Sequence, residues 1–171
     1  MTSKERMLTA LARGVPDRVP ASVHQWQPYH LRHYLGGCTD VEAFRRFGLD
    51  ASLARMPLLP QETPEWVSTV TELDAPEGER RWRVDVATPG GALWMSYGAN
   101  EITTWIVDPL VKTHADLDLV DRYMPVPRLD REQLARDYEE LGDDGIVRGF
   151  VWGDQGGCWQ HAACLMGTTE L

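Results

Sequence analysis

The chain has 171 residues, of which 43% are hydrophobic and 25% are charged. This length and composition support one domain with a hydrophobic core and exclude a fibrous or disordered chain. The 26 acidic and 17 basic residues give a net charge of -9 without long runs of like charge, which argues against nucleic acid or a membrane surface as a partner. We therefore expect the partners to be small molecules or other proteins.

The cysteines and the apolar runs bear on the compartment. No apolar run is as long as a membrane span, and the opening segment MTSKERMLTALARG is charged and amphipathic, unlike a signal peptide. Cys38, Cys158 and Cys164 are odd in number and form no disulfide framework, which suits a reducing compartment. The sequence therefore predicts a cytoplasmic protein.

The first third of the chain is predicted to contain three short helices and one strand. Thr2 and Glu5 have the spacing of a capping box, which predicts an amphipathic helix at the start. Two prolines exclude a helix in the next segment, where residues 19–23 are predicted to form a strand. A helix over 28–35 and a helix capped by Asp40 follow.

The middle of the chain changes from helical to alternating periodicity. Residues 66–107 contain four β-rich runs separated by the turn-forming segments APEGE, TPGG and GAN, which predicts an antiparallel meander. Thr113 and Asp116 repeat the capping-box spacing ahead of a helix to about Tyr123, and residues 131–141 are predicted to form another helix.

The end of the chain has the pattern of a strand, a turn and a helix. Residues 146–151 are predicted to form a buried strand, and residues 158–166 a helix that follows a glycine-rich turn. Such a unit cannot bury both faces of its strand without neighbours in a parallel sheet. We expect the strand at 146–151 to pair in parallel with the strand at 19–23.

Three stretches resemble the N-terminal half of the uroporphyrinogen decarboxylase-like superfamily. MTSKERMLTALARGVPDRVP resembles the opening helix and the "pDRvPv" strand of that family. WIVDPLVKTHADLDLVDRYMPVP is similar to the segment that ends in "p.v.s.edl..y..p", and GFVWGDQGGCWQHAACLMGTTEL to the strand, turn and "lmG.eel" helix that follow it. The three stretches occur in the family's order and cover nearly the whole chain.

The resemblance implies an α/β fold, the N-terminal part of a (β/α)8 TIM barrel with N-terminal helices and an antiparallel β-meander insertion. A complete barrel needs roughly 250 residues. The chain, as a single domain over 1–171, is therefore expected to be an incomplete barrel with only the first two barrel strands, and the missing neighbours would be later strands.

The first group of candidate site residues follows the predicted strand at 19–23. Residues at the C-terminal ends of barrel strands line the active site. His24 is the candidate catalytic acid or base because it titrates near neutrality, and Gln25 and Trp26 are candidate substrate-binding residues. The alternative is that His24 is structural and Trp26 belongs to the core.

The second group follows the predicted strand at 146–151. Asp154 is a candidate catalytic residue that orients His24 or holds a substrate donor, and Trp152 and Gln155 are candidate substrate-binding residues. We predict that His24, Trp26, Trp152 and Asp154 share one cleft.

Two departures from the family bear on the reaction. Decarboxylases of the family carry an arginine-rich "RQAGRY" stretch after the first strand, whose cations hold substrate carboxylates. This chain reads SVHQWQPYH there, without arginine between Arg18 and Arg32, and Pro57 stands about where those enzymes have the aspartate of "FSDI". Both departures favour the methyltransferase side of the family.

No metal site is predicted in this chain. Cys158, His161 and Cys164 follow one another at three-residue steps, but Cys158 and Cys164 are about 9 Å apart along a continuous helix, at 1.5 Å per residue. That separation is too long for one tetrahedral zinc ion, so two thiols facing a core is the better interpretation. The methyltransferases bind zinc in their C-terminal half, so zinc and a corrinoid protein partner are implied only for a longer form.

The leading hypothesis is the N-terminal portion of a corrinoid-dependent methyltransferase of this superfamily, which acts on a small-molecule substrate and is inactive as a fragment. One alternative is a non-catalytic module that associates through its meander and open sheet edges, as a homo-oligomer. The other is a divergent tetrapyrrole decarboxylase, with shifted catalytic residues.

Overall fold

A computed structural model of the chain describes residues 1–59, 63–149 and 157–168. These residues form two compact units, one from the described parts of 1–58 and 129–150 and the other from those of 59–128 and 151–171. No helix among them combines the length and the apolar character needed to cross a membrane.

In chain order the elements are α1 (Ser3–Leu11), α2 (Pro28–Tyr34), α3 (Asp40–Arg46), β1 (Ala51–Ala54), β2 (Val67–Leu73), β3 (Arg80–Thr88), β4 (Gly91–Ala99), β5 (Thr104–Asp108), α4 (His114–Tyr123), α5 (Arg131–Leu141), β6 (Gly145–Arg148) and α6 (Gly157–Met166).

The first unit is built around a two-stranded parallel sheet. β1 pairs with β6 in continuous register, from Ala51 opposite Gly145 to Ala54 opposite Arg148. The side chains of β1 alternate, so Leu53 faces the core while Ser52 is half-exposed on the opposite face. The core of this unit consists of Val41, Phe44, Ala51, Leu53 and Leu141, which come from α3, β1 and the end of α5.

A buried carboxylate fixes the start of β1. Asp50 is fully buried and accepts hydrogen bonds from Arg6, from Arg18 at 3.2 Å and from the backbone N–H of Ala21 at 2.9 Å. Burial by itself raises the pKa of Asp50, but the hydrogen bonds and the two guanidinium charges outweigh burial and leave that pKa below its usual value. Arg6 is almost completely buried and also binds Asp17 at 2.7 Å, which holds the pKa of the Asp17 carboxyl well below its usual range.

The predicted half-barrel is wrong. Residues 19–23 form no strand, the parallel partner of β6 is β1, and the described residues contain a two-stranded parallel sheet and a separate antiparallel one. Pro20 has no N–H to donate to a strand ladder, and the N–H of Ala21 is taken by the Asp50 side chain. The carbonyl oxygen of Ala21 accepts from the backbone N–H of Asp50 at 2.7 Å, so this segment is bonded to the residue before β1 and not to β6.

The closing strand and helix are partly described. β6 begins at Gly145, one residue before the predicted strand, and the predicted residues 150 and 151 lie outside the described residues. A Cβ on Gly145 would lie 1.9 Å from the carbonyl oxygen of Ala51, so only glycine allows the two strands to approach at this point. α6 confirms the helix predicted over 158–166.

The second unit confirms the predicted meander. β2, β3, β4 and β5 pair with their sequence neighbours as an antiparallel sheet, with one bulge between Ser96 and Tyr97. One face packs against α4 and α6 through Val86, Leu93 and Leu110. On the other face Trp94 lies 4.3 Å from the Arg83 guanidinium and 3.8 Å from the Lys112 ammonium, so cation–π contacts cover that ring.

The first prediction concerns Asp50. Asp50→Asn should lower the free energy of unfolding by about 3 kcal/mol, because it leaves two guanidinium groups without their buried counter-charge. Urea denaturation followed by circular dichroism measures this change. Asp143→Asn is the matched control, since the Asp143 side chain is exposed and makes no described contact, and it should leave the midpoint unchanged.

The pH dependence tests the same interaction. Since the pKa of Asp50 is lower in the folded chain, its contribution to stability is present above the unfolded value of about 4 and is lost as the pH falls through the folded pKa. The midpoints of the natural protein and of Asp50→Asn should therefore converge in acid. A difference that stays constant down to pH 2 would contradict the role given to the Asp50 charge.

Candidate functional site

A cavity of about 190 Å³ lies at the carboxyl end of β1 in the first unit. The carboxyl ends of parallel strands are where ligands bind in many α/β proteins, because connecting loops leave a crevice there. Aromatic and aliphatic side chains form part of the wall, and polar groups form the rest. The lining residues are Gln25, Trp26, Asp40, Phe44, Ser52, Leu53, Ala54 and Arg55.

Trp26 is held rigidly beside the cavity by α3 and the residue that follows it. Its ring meets Phe44 edge-on at 5.8 Å and stacks on Phe47 at 5.7 Å. These contacts place the Trp26 ring against the core of the first unit. This agrees with the alternative interpretation of the sequence, in which Trp26 belongs to the core. The same side chain also lines the cavity, so packing and ligand contact are compatible roles.

The indole nitrogen of Trp26 lacks a hydrogen-bond partner. Nε1 is buried and meets no acceptor among the described residues. A buried donor without a partner costs about 1–3 kcal/mol relative to a satisfied donor. Since Trp26 is a lining residue of the cavity, a ligand acceptor that reaches this N–H would be stabilised.

Arg55 follows β1 directly, and nearby carboxylates balance its charge. Its Nη2 binds Asp40 at 2.7 Å and its Nε lies 3.9 Å from Asp137. Its backbone N–H donates to the carbonyl of Arg148 at 3.0 Å, which extends the pairing of β1 with β6 by one bond. The Arg55 guanidinium therefore lines the cavity in a fixed position, but its charge is balanced by carboxylates.

Arg148, the last residue of β6, binds His24. Its Nη2 donates to the carbonyl oxygen of His24 at 2.6 Å and contacts His24 Nδ1 at 3.2 Å. Because a guanidinium group only donates, Nδ1 is the acceptor in this contact and the proton of the neutral ring is on Nε2. Within the described residues Arg148 has no carboxylate partner, so it adds a positive charge at this end of the sheet.

The structure brings together one of the two predicted groups. Gln25 and Trp26 line the cavity, while His24 is exposed beside them and is fixed by Arg148. Trp152, Asp154 and Gln155 lie outside the described residues. The prediction that both groups share a single cleft therefore stays a prediction.

Sequence reasoning missed the arginines of this site. The lack of arginine between residues 18 and 32 predicted little counter-charge for a polycarboxylate, but Arg148 reaches His24 from a distant part of the chain. Arg55 was missed because the four-residue strand β1 was not recognised. The sequence signal for β1 was the alternating run ASLA, which follows Gly48, Leu49 and Asp50 and directly precedes Arg55.

The cysteines of α6 do not face a core, and that interpretation is wrong. Cys158 and Cys164 are both exposed. Burial lowers the pKa of His161, which lies between them on the helix. In the part of the chain that the structure describes, no three His, Cys, Asp or Glu side chains are grouped to hold a metal ion.

No family model, curated protein or solved structure matches the chain. The resemblance to the uroporphyrinogen decarboxylase-like superfamily therefore depends on the three quoted stretches alone. The function has to be inferred from the geometry of the cavity.

The second prediction concerns the tautomer of His24. Nitrogen-15 NMR of the imidazole rings should show a His24 proton on Nε2 at neutral pH, because Arg148 occupies Nδ1. Arg148→Ala should release the ring and give a mixture of tautomers. Arg131→Ala removes an exposed arginine without a described side-chain contact, and it should leave the His24 signals unchanged. A proton on Nδ1 in the natural protein would contradict the contact.

Proposed function

We propose that this chain binds a small organic carboxylate in the cavity at the carboxyl end of β1. The observation that carries the proposal is that Trp26 lines the cavity and that its buried N–H has no acceptor among the described residues. A ligand oxygen would satisfy this donor. The pairing of a rigid aromatic wall with a small number of polar groups is typical of small-molecule sites.

The size and the polarity of the cavity support a compact ligand. Its volume of about 190 Å³ is below the range of 300–1,000 Å³ that is typical for drug-sized ligands. The Ser52 hydroxyl and the Gln25 amide are further hydrogen-bond donors among the lining residues. A carboxylate accepts several hydrogen bonds at once and is attracted by Arg148, whose charge has no described counter-ion.

For the reaction, we propose the methyltransferase type first. In a longer enzyme of the methyltransferase type, this chain would supply substrate binding, while zinc and a corrinoid partner would belong to other residues. Arg148, which has no carboxylate partner among the described residues, favours a carboxylate-bearing substrate, and this observation supports a divergent decarboxylase as the second candidate. A cytoplasmic location, which the odd number of cysteines favours, belongs to the same proposal.

The third prediction is that carboxylates bind more tightly than matched amides. Titration calorimetry with short aliphatic and aromatic carboxylates, and with the corresponding uncharged amides, measures this preference. Trp26→Phe keeps an aromatic wall but removes the N–H, so it should weaken binding of the best carboxylate about tenfold or more. Trp159→Phe is the matched control, because Trp159 is 67% exposed on α6 and does not line the cavity.

A second substitution separates charge from hydrogen bonding. Arg148→Gln should weaken carboxylate binding while leaving binding of the uncharged amide nearly unchanged, and added salt should reduce the difference. Equal affinity of Trp26→Phe and the natural protein for every carboxylate would remove the cavity from the proposal. An equal loss for acid and amide in Arg148→Gln would assign Arg148 a structural role only.

A further inference from the structure

β2 is an edge strand of the meander, and its outer side is open. All seven of its residues are exposed, and it pairs with β3 alone. Its outward amide and carbonyl groups bond to no other backbone group of the described chain. A long edge of this kind is a template for a further strand.

The opposite edge of the same sheet carries features that hinder such pairing. β5 has five residues, lies beside the bulge at Ser96 and Tyr97, and is followed at once by Pro109. Bulges and prolines blunt sheet edges because they twist the strand and remove donors. β2 contains neither proline nor lysine, and its register with β3 is unbroken from Val67 to Leu73.

We propose that β2 pairs antiparallel with β2 of a second copy of this chain, about a two-fold axis at Val70. The two meanders would then form one eight-stranded sheet. Residues directly opposite each other lie on the same face of a sheet, so the faces covered by α4 and α6 would lie on the same side in both copies. The pairing uses the second unit alone and is independent of the proposed carboxylate site.

The sequence of β2 is self-complementary in this register. With Val70 opposite Val70, Thr69 lies opposite Thr71 and Ser68 lies opposite Glu72. Val67 then lies opposite Leu73. Pairs of β-branched residues and of threonines stabilise antiparallel strands, whereas like charges directly opposite destabilise them.

The charges and the exposed apolar side chains of β2 both favour β2 of a second copy as its partner. Glu72, the one charged residue of β2, lies opposite a serine and is already paired with Arg80 at 2.6 Å, so two carboxylates do not meet at the interface. Val67, Val70 and Leu73 are 50%, 62% and 43% exposed. A second β2 strand would cover part of this apolar surface in both copies.

The first test is the oligomeric state. Light scattering coupled to gel filtration and sedimentation velocity should show a dimer of the natural protein across the micromolar range. Val70→Lys should give a monomer, because it places two ammonium groups opposite each other at the axis. Val107→Lys is the matched control: Val107 is 45% exposed on β5, and this variant should remain a dimer. Far-UV circular dichroism checks that both variants keep the sheet.

The second test is specific to the register. Ser68→Lys should strengthen the dimer about fivefold, since each new lysine lies opposite Glu72 of the second copy, and Ser68→Glu should weaken it by a similar factor. Thr104→Lys makes a comparable change of charge on β5 and should have little effect. A monomeric natural protein, a dimer that survives Val70→Lys, or equal effects of Ser68→Lys and Ser68→Glu would each overturn the proposal.

Discussion

The buried carboxylate of Asp50 is the interaction on which the first unit depends. It joins the guanidinium groups of Arg6 and Arg18 to the backbone of Ala21, immediately before β1 begins. Removing one partner of such a buried group leaves an uncompensated charge, which is far more costly than losing a surface ion pair. The arrangement of α1, the segment after it and β1 is therefore specified by charge as well as by apolar packing.

This ion cluster also determines where the candidate site lies. The segment from Ala21 to Trp26 is held at one end by Asp50 and near the other end by the bonds of Arg148 to His24. Between these two attachments the chain needs no strand ladder to stay in place. Trp26 is thereby positioned against α3 and beside the cavity at the end of β1, although the segment itself is irregular.

Most helices and the meander could be predicted from the sequence, whereas the short strand β1 and the long-range pairing could not. The N-cap of α3 is Thr39 and not the predicted Asp40. The capping boxes at Thr2 and Thr113 and the antiparallel meander are confirmed, because each depends on residues that are close in sequence. The parallel pairing failed because the true partner of β6 is a four-residue strand rich in small residues, far away in the chain. For the same reason Arg148 could not be assigned to the site, although His24, Gln25 and Trp26 were.

The two proposals follow from one physical rule applied to different groups. A protein surface or cavity that holds unpaired hydrogen-bonding groups is stabilised by any partner that satisfies them without burying a new unpaired group. Trp26 offers a single buried donor, which one acceptor atom of a small ligand can satisfy. β2 offers a row of alternating donors and acceptors along seven residues, and only another extended backbone has the matching spacing. The number and spacing of the unpaired groups therefore limit the class of partner, which we propose to be a small carboxylate in one unit and a strand in the other.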